Sequence, residues 1–71
     1  MFGAGTGTVT EFEEHRGTGV ISGADGIDYA FHCTEIADGR RIIAIGTKVR
    51  FEVVAGIGGR TEARSIYRDE T

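Results

Sequence analysis

Glycine is the strongest constraint on what this chain can become. Twelve glycines and no proline are spread through 71 residues. They fall so that no stretch sets apolar residues at i, i+3, i+4 and i+7 without a glycine interrupting it, which leaves an amphipathic helix nowhere to form. Between the glycines lie short segments rich in β-branched and aromatic residues, the types that suit a half-buried pleated surface. Thr8 to Glu13 (TVTEFE), Gly17 to Ser22 (GTGVIS), Ile27 to Cys33 (IDYAFHC), Lys48 to Val54 (KVRFEVV) and Thr61 to Tyr67 (TEARSIY) read as five strands.

The fourth alternates strictly, which sets Val49, Phe51 and Val53 inward and turns Lys48, Arg50 and Glu52 to water. A polar turn at Glu14, His15 and Arg16 makes a hairpin of the first two strands, and Gly23-Ala24-Asp25-Gly26 turns the chain into the third. Thr34 to Thr47 reads as an irregular loop with one helical turn near Thr34 to Ala37. Gly56-Ile57-Gly58-Gly59 leads into the last strand, whose core contacts are Ala63 and Ile66. Residues 1–71 make a single domain, with a flexible glycine-rich N-terminus over 1–6 and a polar tail over 69–71. A core this small favours an architecture with no open strand edges. The expected fold class is all-β, a five-stranded antiparallel barrel.

Apolar residues at 39% and charged residues at 27% describe a globular chain, not a disordered one. The longest aliphatic run, Ile42-Ile43-Ala44-Ile45, is far short of the roughly 20 residues of a membrane helix. Met1 is followed by no basic, apolar leader, so neither membrane insertion nor secretion is expected. Cys33 is the one cysteine. It supplies neither a disulfide nor a multi-cysteine metal site, and a reducing, cytoplasmic setting is the expectation.

Net charge is −3, which argues against coating duplex phosphate with Lys and Arg. The charge is uneven. Residues 1–35 hold Arg16 against six acids, while residues 36–71 hold seven bases against five acids. Basic surface must come mostly from the second half.

Four segments carry a family resemblance: Gly7-Thr8-Val9 in the first strand, Arg16-Gly17-x-Gly19 in the second, Asp28 to His32 in the third, and Gly46-Thr47-Lys48-Val49-x-Phe51-Glu52-Val53 in the fourth. Together they resemble the bacterial cold-shock proteins, OB-fold barrels of about this length that bind single-stranded RNA and DNA. The resemblance runs from Gly7 to about Tyr67. It implies an OB-fold and a binding face built on two aromatic motifs, one like K/R-G-F/Y-G-F and one like V-F-V-H-F.

Here the frames survive and the aromatics do not. The first motif reads Arg16-Gly17-Thr18-Gly19-Val20 and the second Tyr29-Ala30-Phe31-His32-Cys33, with Thr18, Val20, Ala30 and Cys33 at positions the family fills with phenylalanine. Glu11 stands where the family has a surface tryptophan, beside Phe12, which matches. Strand parity sets Thr18, Val20, Ala30 and His32 on the outer face and turns Ile21, Tyr29 and Phe31 into the barrel. Stacking is worth roughly 1 to 3 kcal/mol per base, so losing about five platforms forfeits on the order of 5 to 15 kcal/mol if the terms add. Micromolar binding totals only about 8 kcal/mol.

The resemblance therefore implies a single-stranded nucleic-acid binder of weak or atypical character. Its candidate contacts are Phe12, Arg16, Thr18, Val20, Ala30, His32 and Arg60, with Arg40, Arg41 and Arg64 as further parts of a basic rim. The alternative is a barrel whose old face, with Thr18, Val20, Ala30 and Cys33, has become a protein-contact or homodimer surface. Other chemistries find little support. Gly3-x-Gly5-x-Gly7 precedes a strand, where a dinucleotide loop must follow one. His32 and Cys33 point to opposite faces of a strand and cannot share a metal. Glu13, Glu14 and His15 lie in an exposed turn, without the burial that tunes a catalytic group. No enzyme activity, no cofactor and no metal is expected.

Overall fold

The computed structural model describes residues 3–69. Five strands, β1 (Ala4–Glu13), β2 (Thr18–Gly23), β3 (Asp28–His32), β4 (Lys48–Ala55) and β5 (Thr61–Arg68), carry the fold, with short 3-10 turns at Cys33–Glu35 and Ile57–Gly59. The strands close into a barrel in the order β1-β2-β3-β5-β4. Four of the pairings are antiparallel, as expected. The closing one, β3 with β5, is parallel and holds a single ladder pair, Ala30 opposite Glu62.

The first strand begins at Ala4, earlier than the strand pattern at Thr8 suggests, so Ala4 to Thr6 are sheet and not part of a flexible N-terminus. Residues 1 and 2 of that expectation, and 70 and 71 of the polar tail, lie outside the described residues. Small side chains rather than β-formers make this extension possible. Gly5 pairs with Phe51, and a Cβ on Gly5 would lie 2.9 Å from the Phe51 ring. Gly5 is thus a packing requirement of the β1/β4 seam, and Gly7, where a Cβ would lie 2.5 Å from the Ser22 carbonyl oxygen, is one of the β1/β2 seam. Asp69 continues past β5 by donating its N–H to the Lys48 carbonyl at 2.8 Å.

Val9, Ile21, Val49 and Ile66 are the most deeply buried side chains, with Tyr29, Phe31 and Phe51 around them. The inward positions expected from the sequence hold: Val49 and Phe51, read from alternation, are buried, Val53 packs on the core half-buried, and the core contacts Ala63 and Ile66 are enclosed. Cys33 is buried as well, and so leaves the outer patch in which sequence reasoning grouped it. The chain turns at the end of β3, and the 3-10 turn folds Cys33 under the barrel rim beside Gly17. No helix among the described residues is long and apolar enough to cross a membrane.

Two polar ties hold the connections. The Tyr29 hydroxyl donates to Asp25 Oδ2 at 2.6 Å, and the Ile27 N–H donates to Asp25 Oδ1 at 2.9 Å, which shapes the β2/β3 turn. Arg68 pairs with Asp38 at 2.7 Å and donates to the Ile42 carbonyl at 2.9 Å, lashing the long loop to β5.

These bonds set a pH dependence. The Tyr29 hydroxyl, then the Ile27 amide, hold the Asp25 carboxyl below its usual 3.8. Its stabilisation is complete above pH 3.8 and drains away as pH falls through the lowered folded value. The same bond raises Tyr29 above its usual 10.0, so that contribution is complete below pH 10.0 and is lost as pH rises through the folded value. Denaturant titrations of wild type and Asp25→Ala across pH should show the variant with a shallower acid limb and a flattened alkaline limb. Parallel profiles would mean the bond does not form in solution.

Candidate nucleic-acid interface

The outer face of β1, β2 and β3 is organised in cross-strand rows. Glu13, Thr18 and His32 form one row, and Glu11, Val20 and Ala30 the next, which continues across the closing seam onto Glu62. Thr18, Ala30 and His32 are exposed and Val20 is half-buried, while Ile21, Tyr29 and Phe31 face the core, as strand parity requires.

Phe12 departs from simple alternation. Val9 pairs with Ile21 and Glu11 with Val20, so Thr10 is an extra residue that bulges β1. The bulge reverses parity beyond it and brings Phe12 opposite Gly19 on the inner side, half-buried and nearly parallel to Phe31, ring centroids 6.2 Å apart. Gly19 is indispensable to that stack, since a Cβ there would sit 2.5 Å from Phe31 Cζ. One side of Phe12 is thus spoken for by the core.

Two grooves flank β2. One, of about 530 Å³, is lined by residues including Phe12, Arg16, Thr18, Val20 and Ile45. The other, of about 300 Å³, takes in Thr18, Ala30, His32, Glu35, Glu62 and Arg64. They meet at Thr18 and Gly19. Six of the seven residues nominated from sequence therefore lie along one continuous strip. Arg60 does not join them: it sits exposed in the turn before β5, lining neither groove, and Arg64 takes the place in the second. Arg40 and Arg41 likewise stay in the long loop, outside both grooves. Among the members that sequence reasoning missed, Ile45 had the clearest trace, an aliphatic run in a polar loop of which only Ile43 is needed for the core.

His32 is positioned by its own backbone neighbourhood. Its Nδ1 accepts the Thr34 N–H at 3.3 Å and lies 3.0 Å from the Thr34 hydroxyl, so it caps the 3-10 turn. An accepting Nδ1 carries no proton, which places the ring hydrogen on Nε2 and leaves the exposed side chain with a donor for a ligand. The strip is otherwise acidic: Glu11 and Glu13 line the first groove with Arg16, Glu35 and Glu62 the second with Arg64. Four carboxylates face two guanidiniums, a poor surface for dense phosphate contact. No group of three or more His, Cys, Asp or Glu side chains among the described residues is placed to hold a metal ion.

A closed five-stranded barrel of this strand order, with its grooves on the outer face of the first three strands, is an OB-fold of the cold-shock type. The chain belongs to the cold-shock domain family: the model of the 'Cold-shock' DNA-binding domain matches residues 5–68. That family binds nucleic acid and is not enzymatic. Among solved structures, Drosophila Unr CSD456 is similar, with 28% identity, a TM-score of 0.80 and 96% of this chain covered. This chain spans 27% of that longer one. No curated protein matches it.

The glycine under the ring stack offers a direct check of this geometry. Gly19→Ala should cost about 1 to 3 kcal/mol through overpacking, read as a lowered melting temperature. It should also disperse the chemical shifts of Phe12 and Phe31 together. A variant with the wild-type melting temperature would show that the two rings do not stack over Gly19.

Proposed function

We propose that the chain binds single-stranded RNA or DNA weakly along the strip from Phe12 and Arg16 across Thr18 and Val20 to Ala30 and His32. The observation that carries this reading is the continuity of the two grooves at Thr18 and Gly19, along which six of the seven candidate residues lie. The family match and the likeness to Unr CSD456 support it. Low affinity follows from chemistry. Thr18, Val20 and Ala30 offer no π-face, Phe12 is engaged by Phe31, and Glu11 and Glu13 repel phosphate. His32 then supplies a ring to stack on and an Nε2–H to donate, while Arg16 and Arg64 supply the charge. A cytoplasmic setting accords with the lone free thiol of Cys33.

A second reading, a protein-contact or self-association surface, draws on Ile45, which is 67% exposed beside Val20 in the larger groove. Light scattering over a concentration series separates the two: growth in mass without oligonucleotide binding favours the second.

Restoring the missing platforms is the sharper test. Thr18→Phe and Ala30→Phe each put a ring on an exposed outward position, and each should tighten binding of a mixed single-stranded oligonucleotide by about tenfold. His32→Ala should weaken what binding the wild type has. If the restored aromatics change nothing and amide shifts along the strip never saturate, this surface does not bind nucleic acid.

A further inference from the structure

The exposed aromatic that the cold-shock face lacks is on the other side of the barrel. Tyr29, Phe31 and Phe51 are buried and Phe12 is half-buried, whereas Tyr67 is 53% exposed. Its exposure is the product of a local irregularity. Ala63 points inward, so unbroken alternation along β5 would bring Ser65 and Tyr67 inward and turn Ile66 out. Instead Glu52 pairs with Arg64 and Arg50 with Tyr67, so two residues of β5, Ser65 and Ile66, stand opposite Phe51 alone. Ser65 takes up the extra length with φ of +52°, a left-handed conformation that non-glycine residues seldom adopt. The result is Ile66 in the core and Tyr67 in solvent.

Tyr67 does not stand alone. Thr6, Arg50 and Tyr67 form one outward cross-strand row over β1, β4 and β5, with no acid in it. They line a groove of about 340 Å³ together with Ser65 and Glu52. Lys48 lies two residues before Arg50 and shares its face. Arg64 stands across from Glu52 in the β4/β5 ladder but lines the strip's smaller groove and not this one. Lys48 and Arg50 face Glu52 and Asp69 here, an even balance, whereas the strip sets four carboxylates against two guanidiniums. Two of the seven bases in the second half of the sequence, Lys48 and Arg50, thus lie on the face of the one described aromatic ring that lies open.

We propose that the β1/β4/β5 face is a second docking surface for single-stranded nucleic acid, with a base stacked on Tyr67 and the backbone phosphates held by Arg50 and Lys48. The ring and the guanidinium are direct cross-strand neighbours, which is the pairing of π-face and cation that a sequence-tolerant single-strand site uses. Thr6 and Ser65 add hydroxyls at the groove wall. This surface needs nothing from the strip at His32 and stands or falls separately from it.

The test is an amide NMR titration of the full chain with single-stranded oligothymidine at two salt concentrations, alongside affinities of Tyr67→Ala, Tyr67→Phe, Arg50→Glu and His32→Ala. Shifts should gather at Thr6, Arg50 and Ser65 to Tyr67. Tyr67→Ala should weaken that binding by about tenfold while Tyr67→Phe retains it. Arg50→Glu should flatten the slope of log affinity against log salt by about 0.7 or more. His32→Ala should leave these shifts unchanged. Shifts confined to Arg16 to Val20 and Ala30 to His32, and indifferent to Tyr67→Ala, would overturn this proposal and leave the strip as the binding face. Shifts at the Tyr67 face alone would support this proposal and remove the strip. Silence at both faces overturns both.

Discussion

Closure of the barrel rests on the seam between β3 and β5, which is also its thinnest joint. Every other seam is an antiparallel ladder of several pairs, but here the strands run parallel and meet in one pair, Ala30 with Glu62. Side chains and turns supply the rest. The Thr61 hydroxyl reaches the Asp28 carbonyl at 3.3 Å, and the Ala37 N–H donates to the Ile66 carbonyl at 2.8 Å. Beneath them Ile36 bridges to Ile66, both fully enclosed. In a domain below about 80 residues the core alone rarely supplies more than about 3 to 5 kcal/mol. A seam tied this sparingly is therefore held largely by hydrophobic contact, and the smaller groove lies directly over it. The His32, Ala30, Glu62 and Arg64 side chains of that groove come from both of its banks. Ligand contact there would bridge strands that the backbone joins only once.

Aromatic placement follows from the same economy. A 71-residue barrel has few large side chains with which to fill its interior. Tyr29 with Phe51, ring centroids 5.0 Å apart, and Phe12 with Phe31 fill much of it. Phe12 is recruited inward by a single bulged residue, and Gly19 yields the room. What the core gains the outer face loses, since a ring packed against Phe31 has one face fewer to offer a base. The chain keeps the barrel of its family while its outer β1/β2/β3 surface carries small, β-branched and acidic residues.

Much of this architecture was legible in the sequence. Glycine spacing marked the strands, alternation in Lys48 to Val54 fixed the inward set, and the Asp28 to His32 frame fixed the faces of β3. What escaped was whatever depends on one residue being out of step. Nothing in Val9-Thr10-Glu11 announces that Thr10 will bulge, and nothing in Arg64-Ser65-Ile66 announces that Ser65 will turn left-handed, yet each flips the parity of everything after it. The start of β1 was hidden because glycines chosen for close approach carry no strand propensity. Cys33 was misplaced because the strand ends one residue before it. Arg60 lies outside both grooves for a similar reason: a turn residue has no parity from which to read a direction.

The two irregularities together decide which aromatic rings the barrel's outer surface presents. The bulge at Thr10 turns Phe12 against the core and leaves it half-buried in the outer groove of the first strands, where acids already outnumber bases. The one at Ser65 sets Tyr67 onto the outer surface of β4 and β5, beside Arg50. The strands close in the order β1-β2-β3-β5-β4 around both irregularities. Stacking and phosphate attraction are both local, falling off within a few ångströms or a Debye length of about 8 to 10 Å. A surface that offers both is better placed to hold a nucleotide, and in this chain ring and cation are cross-strand partners at Arg50 and Tyr67 with Glu52 the one acid in their groove, while at the strip His32 and Arg64 share theirs with Glu35 and Glu62.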